Sequence, residues 1–362
     1  MRVAVDLRGA GPDSTGIGRY AVTLCLSLER VLGADRVEAF VTPAAAPVLA
    51  TRVHCRLWTP WRAQGALAVL LRRLHVDVLH SPFFPLPRQR VCPYVCTIHD
   101  VIPLARPDLT HPEFVRFFRR HVPLVQHASS HIVAVSRHAR QEILAHLHET
   151  EERVTTIYEA VHPHFTRRSG AHVAHTLTPL GLVPGYFLSV GTLARRKNMT
   201  RLLEAYAQLR RWRDAVPPLV LVGGPGGDGY DPVPDMERLA LRPHVHLLGR
   251  VPDEALACLY TAALALVFPS LYEGFGLPVV EAMACGTPVI TSAISALPEV
   301  AGGAALLVNP LDVGAIARAM QALLTCPAHR QRLANAGLVQ ARHFTLEHQG
   351  DALVRLYRSV VD

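Results

Sequence analysis

Hydrophobic and polar positions along this chain follow two periods in turn. Short continuous apolar runs at Arg2–Leu7, Val76–His80, Tyr94–Ile98, Ile132–Val135 and Val154–Tyr158 predict buried strands. Between them, Ile17, Tyr20, Ala21, Leu24, Leu28 and Val31 recur at helical spacing, and the same period holds over 113–128 and 137–148. Residues 166–185 lose all periodicity and contain Pro and Gly, which predicts a linker. The pattern then restarts. Strands are predicted at 186–190, 218–222, 245–248, 264–268 and 288–291, and helices at 199–213, 253–262, 278–285, 312–325, 327–343 and 346–361. Strands alternating with helices of this length predict the α/β class, with parallel sheets covered on both faces. Two such runs predict two Rossmann-like, doubly wound domains facing a central cleft, with ligands at the carboxyl ends of the strands.

The 362 residues fit two or three domains. Half of them are hydrophobic, which excludes global disorder. The longest apolar run, 256–268, falls short of the roughly 18 residues a membrane helix needs, and reads as a buried helix entering a strand. The chain opens directly on the strand-like RVAVDL, so no leader is expected. Seven scattered cysteines, an odd number, predict reduced thiols and a cytoplasmic protein.

Charge is uneven. Residues 1–170 hold 21 arginines against 14 acids, a net of +7, while the rest of the chain is close to neutral. A basic first half suggests an anionic partner, for which the run 58–74 (WTPWRAQGALAVLLRRL) offers a peripheral contact with an anionic membrane. No zinc-finger or RNA-binding pattern supports nucleic acid. Of the 37 basic residues, 36 are arginine and one is lysine, Lys197.

Two segments carry the candidate chemistry. In 268–290 (FPSLYEGFGLPVVEAMACGTPVI) a buried strand runs into Gly274, Phe275, Gly276 and Leu277. Pro278 suits the first helical position and Gly286 the position past the helix end. A strand, a glycine loop and a helix N-terminus make an anion site. Glu273 opens the loop and Glu281 lies in the following helix, so two carboxylates are placed to accept hydrogen bonds from a polyol ligand. In 186–209 a strand ends at Gly191, and Arg195, Arg196 and Lys197 lead to Asn198, a predicted N-cap. Cations beside a helix start make a phosphate site; an exposed basic turn is the competing reading. A lone lysine among arginines points to a site that needs a compact charge rather than a planar fork.

The loop Gly16-Ile17-Gly18-Arg19 and the strand-end pair His99-Asp100 are weaker signals of the same kind. No metal-ligand spacing, Asp-x-Asp, P-loop or Rossmann dinucleotide fingerprint is present, so no metal and no bound cofactor are expected.

Glu273-Gly-Phe-Gly-Leu-Pro followed by Glu281 resembles the E-x7-E motif of the retaining glycosyltransferases of family 4, which have the GT-B fold. VGTLARRKN resembles that family's VGTLEPRKN, with Ala194 and Arg195 in place of Glu-Pro. TIHDVIPLARP and HIVAVSRHAR resemble the acceptor domains of bacterial mannosyl- and rhamnosyltransferase-like members. Ala293 departs from an asparagine frequent in the family.

The resemblance implies an acceptor domain at 1–168, a linker at 169–185, a donor domain at 186–345 and a closing helix at 346–362 that crosses back to the first domain. It implies a retaining, metal-independent hexosyltransferase whose co-substrate is a nucleoside diphosphate sugar, with GDP-mannose as first choice. The acceptor would be a saccharide, a lipid-linked molecule or a small molecule. Glu281 would bind the donor ribose, Glu273 the transferred sugar, and Arg196 and Lys197 the diphosphate. His99, beside Asp100, would meet the sugar's outer hydroxyls. Gly16 and Gly18 would close on the phosphate, with Gly191 beside it. Gly223, Gly224, Arg250 and Val251 would surround the base. A GT-B epimerase and a non-catalytic nucleotide-sugar binder are the alternatives.

Overall fold

Thirteen strands in two parallel sheets organise the described part of the chain. The structure, a computed structural model, describes residues 1–8, 16–41, 55–57, 64–82 and 89–362. It divides into two units: Met1–Asp108 with Pro112–His162 and Phe344–Asp362, and Leu109–His111 with Pro163–His343.

In the first unit the strands are β1 (Val3–Asp6), β2 (Val37–Val41), β3 (Cys55–Leu57), β4 (Val78–Ser81), β5 (Tyr94–Ile98), β6 (His131–Ala134) and β7 (Val154–Thr156). Their order is β3-β2-β1-β4-β5-β6-β7, every pair parallel. The order reverses at β1, the switch point of a doubly wound sheet. Both faces are covered, so the strands read as continuous apolar runs rather than alternating ones.

The second unit holds β8 (Phe187–Val190), β9 (Leu219–Val222), β10 (Val245–Gly249), β11 (Ala265–Phe268), β12 (Val289–Ser292) and β13 (Leu306–Val308). Their order is β10-β9-β8-β11-β12-β13, again all parallel. The switch point lies at β8, between β9 and β11. At the carboxyl ends of β8 and β11 both motif segments turn from strand to loop.

Several expectations need correction. The supposed linker carries the helix Gly170–Leu177, capped by Ser169, and belongs to the second unit. Its buried Val173 and Leu177 are too few to show a period in sequence. Gly16 and Gly18 stand in the first turn of the helix Gly16–Leu32, not in a loop. The weak helix propensity of glycine masked only the first turn of a helix held by the packing of Tyr20, Ala21, Leu24 and Leu28. The membrane run 58–74 is also different. Residues 58–63 lie outside the described residues, but the helix Gln64–Arg73 buries Leu67 and Leu71 against Ala4, Phe40, Leu79 and Tyr94 of its own sheet. Pro278 occupies the second helical position, since the helix Leu277–Ala284 starts one residue earlier. The short strands β2, β3 and β13 are not among the strands predicted from periodicity.

The last helix, Leu346–Val361, packs along Gly16–Leu32 within the first unit. Ser27 Oγ donates to Gln349 Oε1 at 2.8 Å, and Arg30 pairs with Glu347 at 3.0 Å. The backbones approach so closely that a Cβ on Gly350 would stand 2.4 Å from Ser27 O. At the other end Tyr357 meets the buried imidazole of His80, whose Nε2 lies 2.7 Å from Thr97 Oγ1. Thr97 Oγ1 in turn bonds Tyr20 OH at 2.8 Å. Burial, with His99 nearby, pushes the His80 pKa down to about 3, so it stays neutral and serves both hydroxyls.

Gly350→Ala should force these two helices apart, because the atom in its way is backbone. A loss of about 1–3 kcal/mol is expected, read as a lower Tm in a thermal melt; an unchanged Tm would show that the close approach is not needed.

Candidate active site

Three loops meet where β8, β9 and β11 end. After β8, the short turn Arg195–Lys197 leads to the helix Met199–Trp212. After β11, Pro269–Gly276 leads to the helix Leu277–Ala284. The two loops are tied together by backbone. Leu271 N donates to Arg196 O at 2.7 Å, and Ser270 Oγ lies 3.0 Å from the same oxygen. Gly223, after β9, has φ +150° and lies so close to the first loop that a Cβ would fall 1.9 Å from Gly191 O. Only glycine allows that approach. A Cβ on Gly224 would stand 2.8 Å from Arg250 Nε, which places Arg250, next to Val251, beside this turn.

The centre of the site is a buried ion cluster. Lys197 Nζ donates to Glu273 Oε1 at 2.5 Å, and Arg196 Nη1 lies 2.8 Å from the same oxygen. Ser270 Oγ donates to it at 2.6 Å. Lys197 also sits over the Phe268 ring, 4.5 Å from its centroid. Glu273 is 7% exposed and Lys197 6%. Burial alone would raise the carboxyl pKa, but Arg196 and Lys197 outweigh it and bring Glu273 down to about 2. The backbone of Glu273 is fixed as well, its N–H donating to Ser295 Oγ at 3.1 Å.

Asn198 occupies the N-cap position without capping. Its backbone is left-handed, with φ 60°, and its side chain makes no cap bond. Instead Nδ2 donates to Pro269 O at 3.0 Å and to Pro310 O at 2.7 Å, holding the turn against two neighbouring loops.

Glu281, expected to accept hydrogen bonds from a polyol ligand, already accepts one from within the protein. It is 1% exposed, and Tyr260 OH donates to its Oε2 at 2.9 Å. Gly274, Phe275, Gly276 and Leu277 are likewise buried.

In the first unit, His99 stands just past β5, half-buried. Its Nδ1 lies 2.9 Å from Glu159 Oε1 and its Nε2 3.0 Å from Pro82 O. Tyr20 meets its ring edge-on, with centroids 4.7 Å apart. Asp100 forms the next turn, Oδ1 accepting from Ile102 N at 3.1 Å. Gly16 is exposed with open space around it, and Gly18 is buried.

Glu159, Tyr260 and Ser270 each hold one of these residues and went unnoticed in sequence. Ser270 lies inside the motif segment, where a small hydroxyl before an acid was a usable signal. Glu159 and Tyr260 reach their partners across 60 and 21 residues, which no local pattern reveals. Among the described residues, no group of three or more His, Cys, Asp or Glu is placed to hold a metal ion.

Because the folded Glu273 pKa is depressed, its stabilisation is fully present above its ordinary value of 4.5 and fades as pH falls from there toward 2. The contribution is on the order of 3 kcal/mol. Glu273→Gln should therefore melt below the wild type at pH 7, and the gap should close as pH is lowered through this window. A gap independent of pH would mean that the carboxylate charge plays no part.

The sequence matches two family models, Glycosyltransferase Family 4 over residues 15–165 and Glycosyl transferases group 1 over 182–339. It is 32% identical over 366 residues to O-antigen chain mannosyltransferase B of Escherichia coli, covering 95% of this chain and 96% of that protein. Among solved structures, sucrose-phosphate synthase from Thermosynechococcus elongatus superposes with a TM-score of 0.78 at 22% identity, covering 99% of this chain and 98% of that one. HepE of Anabaena in complex with UDP-glucose gives 0.78 at 18% identity, covering 99% and 100%. Both share the GT-B architecture of paired parallel sheets. Two parallel sheets with reversed strand order, loops converging at a switch point and similarity along the whole length lead to one conclusion: the chain belongs to the family 4 glycosyltransferases and is a glycosyltransferase of the GT-B fold.

Proposed function

We propose that the chain moves a mannosyl residue from a nucleoside diphosphate sugar, GDP-mannose first, to an acceptor hydroxyl. The transfer retains configuration at the anomeric carbon, needs no metal ion, and serves synthesis of a polysaccharide or glycoconjugate in the cytoplasm. The observation that carries this reading is the convergence of Lys197 and Arg196 on Glu273 at the ends of β8 and β11. Full-length similarity to an O-antigen chain mannosyltransferase supports mannose and a saccharide acceptor. The fold shared with a protein solved with UDP-glucose supports a nucleoside diphosphate sugar as co-substrate.

The bond from the anomeric carbon to the diphosphate oxygen breaks. The acceptor oxygen bonds to the same carbon from the same face, and its proton passes to the leaving phosphate. Negative charge grows on the diphosphate, and the Lys197 ammonium and Arg196 guanidinium take it up. They are held in place beforehand by Glu273, so little reorganisation is needed at the moment of reaction. Glu273, ionised throughout, positions the sugar; Glu281 takes the ribose hydroxyls. The loop Gly274-Phe275-Gly276-Leu277 and Gly191 flank the phosphates, while Gly223, Gly224, Arg250 and Val251 border the base. In the first unit, His99 with Asp100 would meet the sugar, and Gly16 and Gly18 the phosphate.

Labelled GDP-mannose with saccharide and lipid-linked acceptors should give a transfer product that persists in EDTA. Epimerised donor, or no product with any nucleotide sugar, would contradict the reading. Glu273→Ala should mainly lower kcat, because it touches the sugar being transferred. Glu281→Gln, which leaves Tyr260 an acceptor, should mainly raise the donor KM. The reverse pattern in steady-state kinetics would show the two roles exchanged.

A further inference from the structure

Both ring nitrogens of His99 face hydrogen-bond acceptors. Nε2 stands 3.0 Å from Pro82 O, and a carbonyl oxygen only accepts, so Nε2 carries a proton. Nδ1 stands 2.9 Å from Glu159 Oε1. Turning the ring over would set carbon atoms against both oxygens. Pro82, His99 and Glu159 stand past the ends of β4, β5 and β7 of one sheet, so the strands themselves set this spacing. Glu159 is 4% exposed, and among the described residues no lysine or arginine pairs with it. A buried carboxylate keeps its charge only beside a cation, and the group that meets Glu159 is His99. Other titratable groups nearby are engaged elsewhere. Tyr20 packs on the His99 ring at 90° and bonds Thr97 Oγ1 through its hydroxyl at 2.8 Å. Asp100 Oδ1 accepts from Ile102 N, and His80, neutral, serves Thr97 and Tyr357.

We propose that Glu159 is a positioning residue for sugar transfer: its carboxylate fixes the His99 ring and holds it as an imidazolium that donates from both nitrogens. This rests on the reading that His99 meets the transferred sugar, and it specifies what His99 offers there. A neutral histidine presents one lone pair, which can take a proton from a hydroxyl. This ring has none, so His99 acts by charge and by hydrogen-bond donation and not as a base. A charged donor makes a shorter and stronger hydrogen bond than a neutral one, in a fixed orientation. A purely structural tie between the two loops would need no buried charge.

The test is the ring-nitrogen NMR spectrum of the full chain with isotope-labelled histidine at neutral pH, with His99→Gln identifying the signals. Both His99 nitrogens should fall in the protonated range, a measurement that needs no variant of Glu159 to fold. In Glu159→Gln one of them should move to the lone-pair range, because an amide leaves the ring neutral. Glu159→Gln should also lower kcat at least about tenfold with the donor KM little changed. Added to His99→Gln it should lower kcat no further, because Glu159 acts through His99. The proposal is overturned if wild-type His99 shows a lone-pair nitrogen, as a protonated Glu159 would produce, or if Glu159→Gln leaves the ring doubly protonated. It is also overturned if Glu159→Gln keeps the wild-type kcat, or if the two substitutions lose activity additively. The spectrum requires neither donor nor acceptor. A chain with this ring that transfers no sugar would contradict the proposed function, whereas a transferase without it would contradict this inference alone.

Discussion

A carboxylate as buried as Glu273 stays ionised only where cations meet it, and that requirement shapes the strand ends of the second unit. Taking a carboxylate and an ammonium out of water costs several kcal/mol per ion, repaid only by close geometry and further hydrogen bonds. Glu273 has both: Lys197 and Arg196 at hydrogen-bond distance, and Ser270 on the same oxygen. To bring them together, the loops after β8 and β11 must lie side by side, which only strands adjacent in the sheet permit. β8 and β11 are adjacent because the strand order reverses there. The same apolar packing could be had without buried charge, so the cluster is better explained by the reaction than by stability.

The single lysine fits this picture. Its ammonium rests on the Phe268 ring and ends at Glu273 within a tight turn, a space suited to a point charge. Arginine, used everywhere else in the chain, brings a planar fork of five donors that would need more acceptors than this corner offers. Arg196, half-buried, reaches both Tyr272 O at 3.2 Å and Glu273 Oε1 at 2.8 Å from the one nitrogen Nη1.

Much of this was legible in sequence because the chemistry sits at strand ends. There glycines, charges and a change of period coincide, and Gly191, Lys197, Glu273 and the helix starts stand out. What stayed hidden depends on contacts between distant segments. The spacing of Glu281 pointed to an acceptor for ligand hydroxyls, but gave no sign that Tyr260 from the preceding helix donates to it. Asn198 was read as a cap from its position, but its amide is spent on Pro269 and Pro310. His99 read as a strand-end residue paired with Asp100, and nothing local pointed to Glu159, past two further strands, which lies at its Nδ1. Gly16 and Gly18 read as a loop because local propensity argued against the first turn of the helix whose later residues do show its period. The run 58–74 read as a membrane contact, yet Leu67 and Leu71 of the helix Gln64–Arg73 are buried against their own sheet.

If Lys197 and Arg196 are the groups that receive the donor diphosphate, their contribution must depend on the charge of the ligand. The direct measurement is calorimetric titration of the wild type and Lys197→Met with guanosine diphosphate and with guanosine, the folded state of each checked by circular dichroism. The account predicts that Lys197→Met weakens the diphosphate at least about tenfold and leaves guanosine unchanged. An equal loss for both ligands, or no loss for the diphosphate, would contradict it.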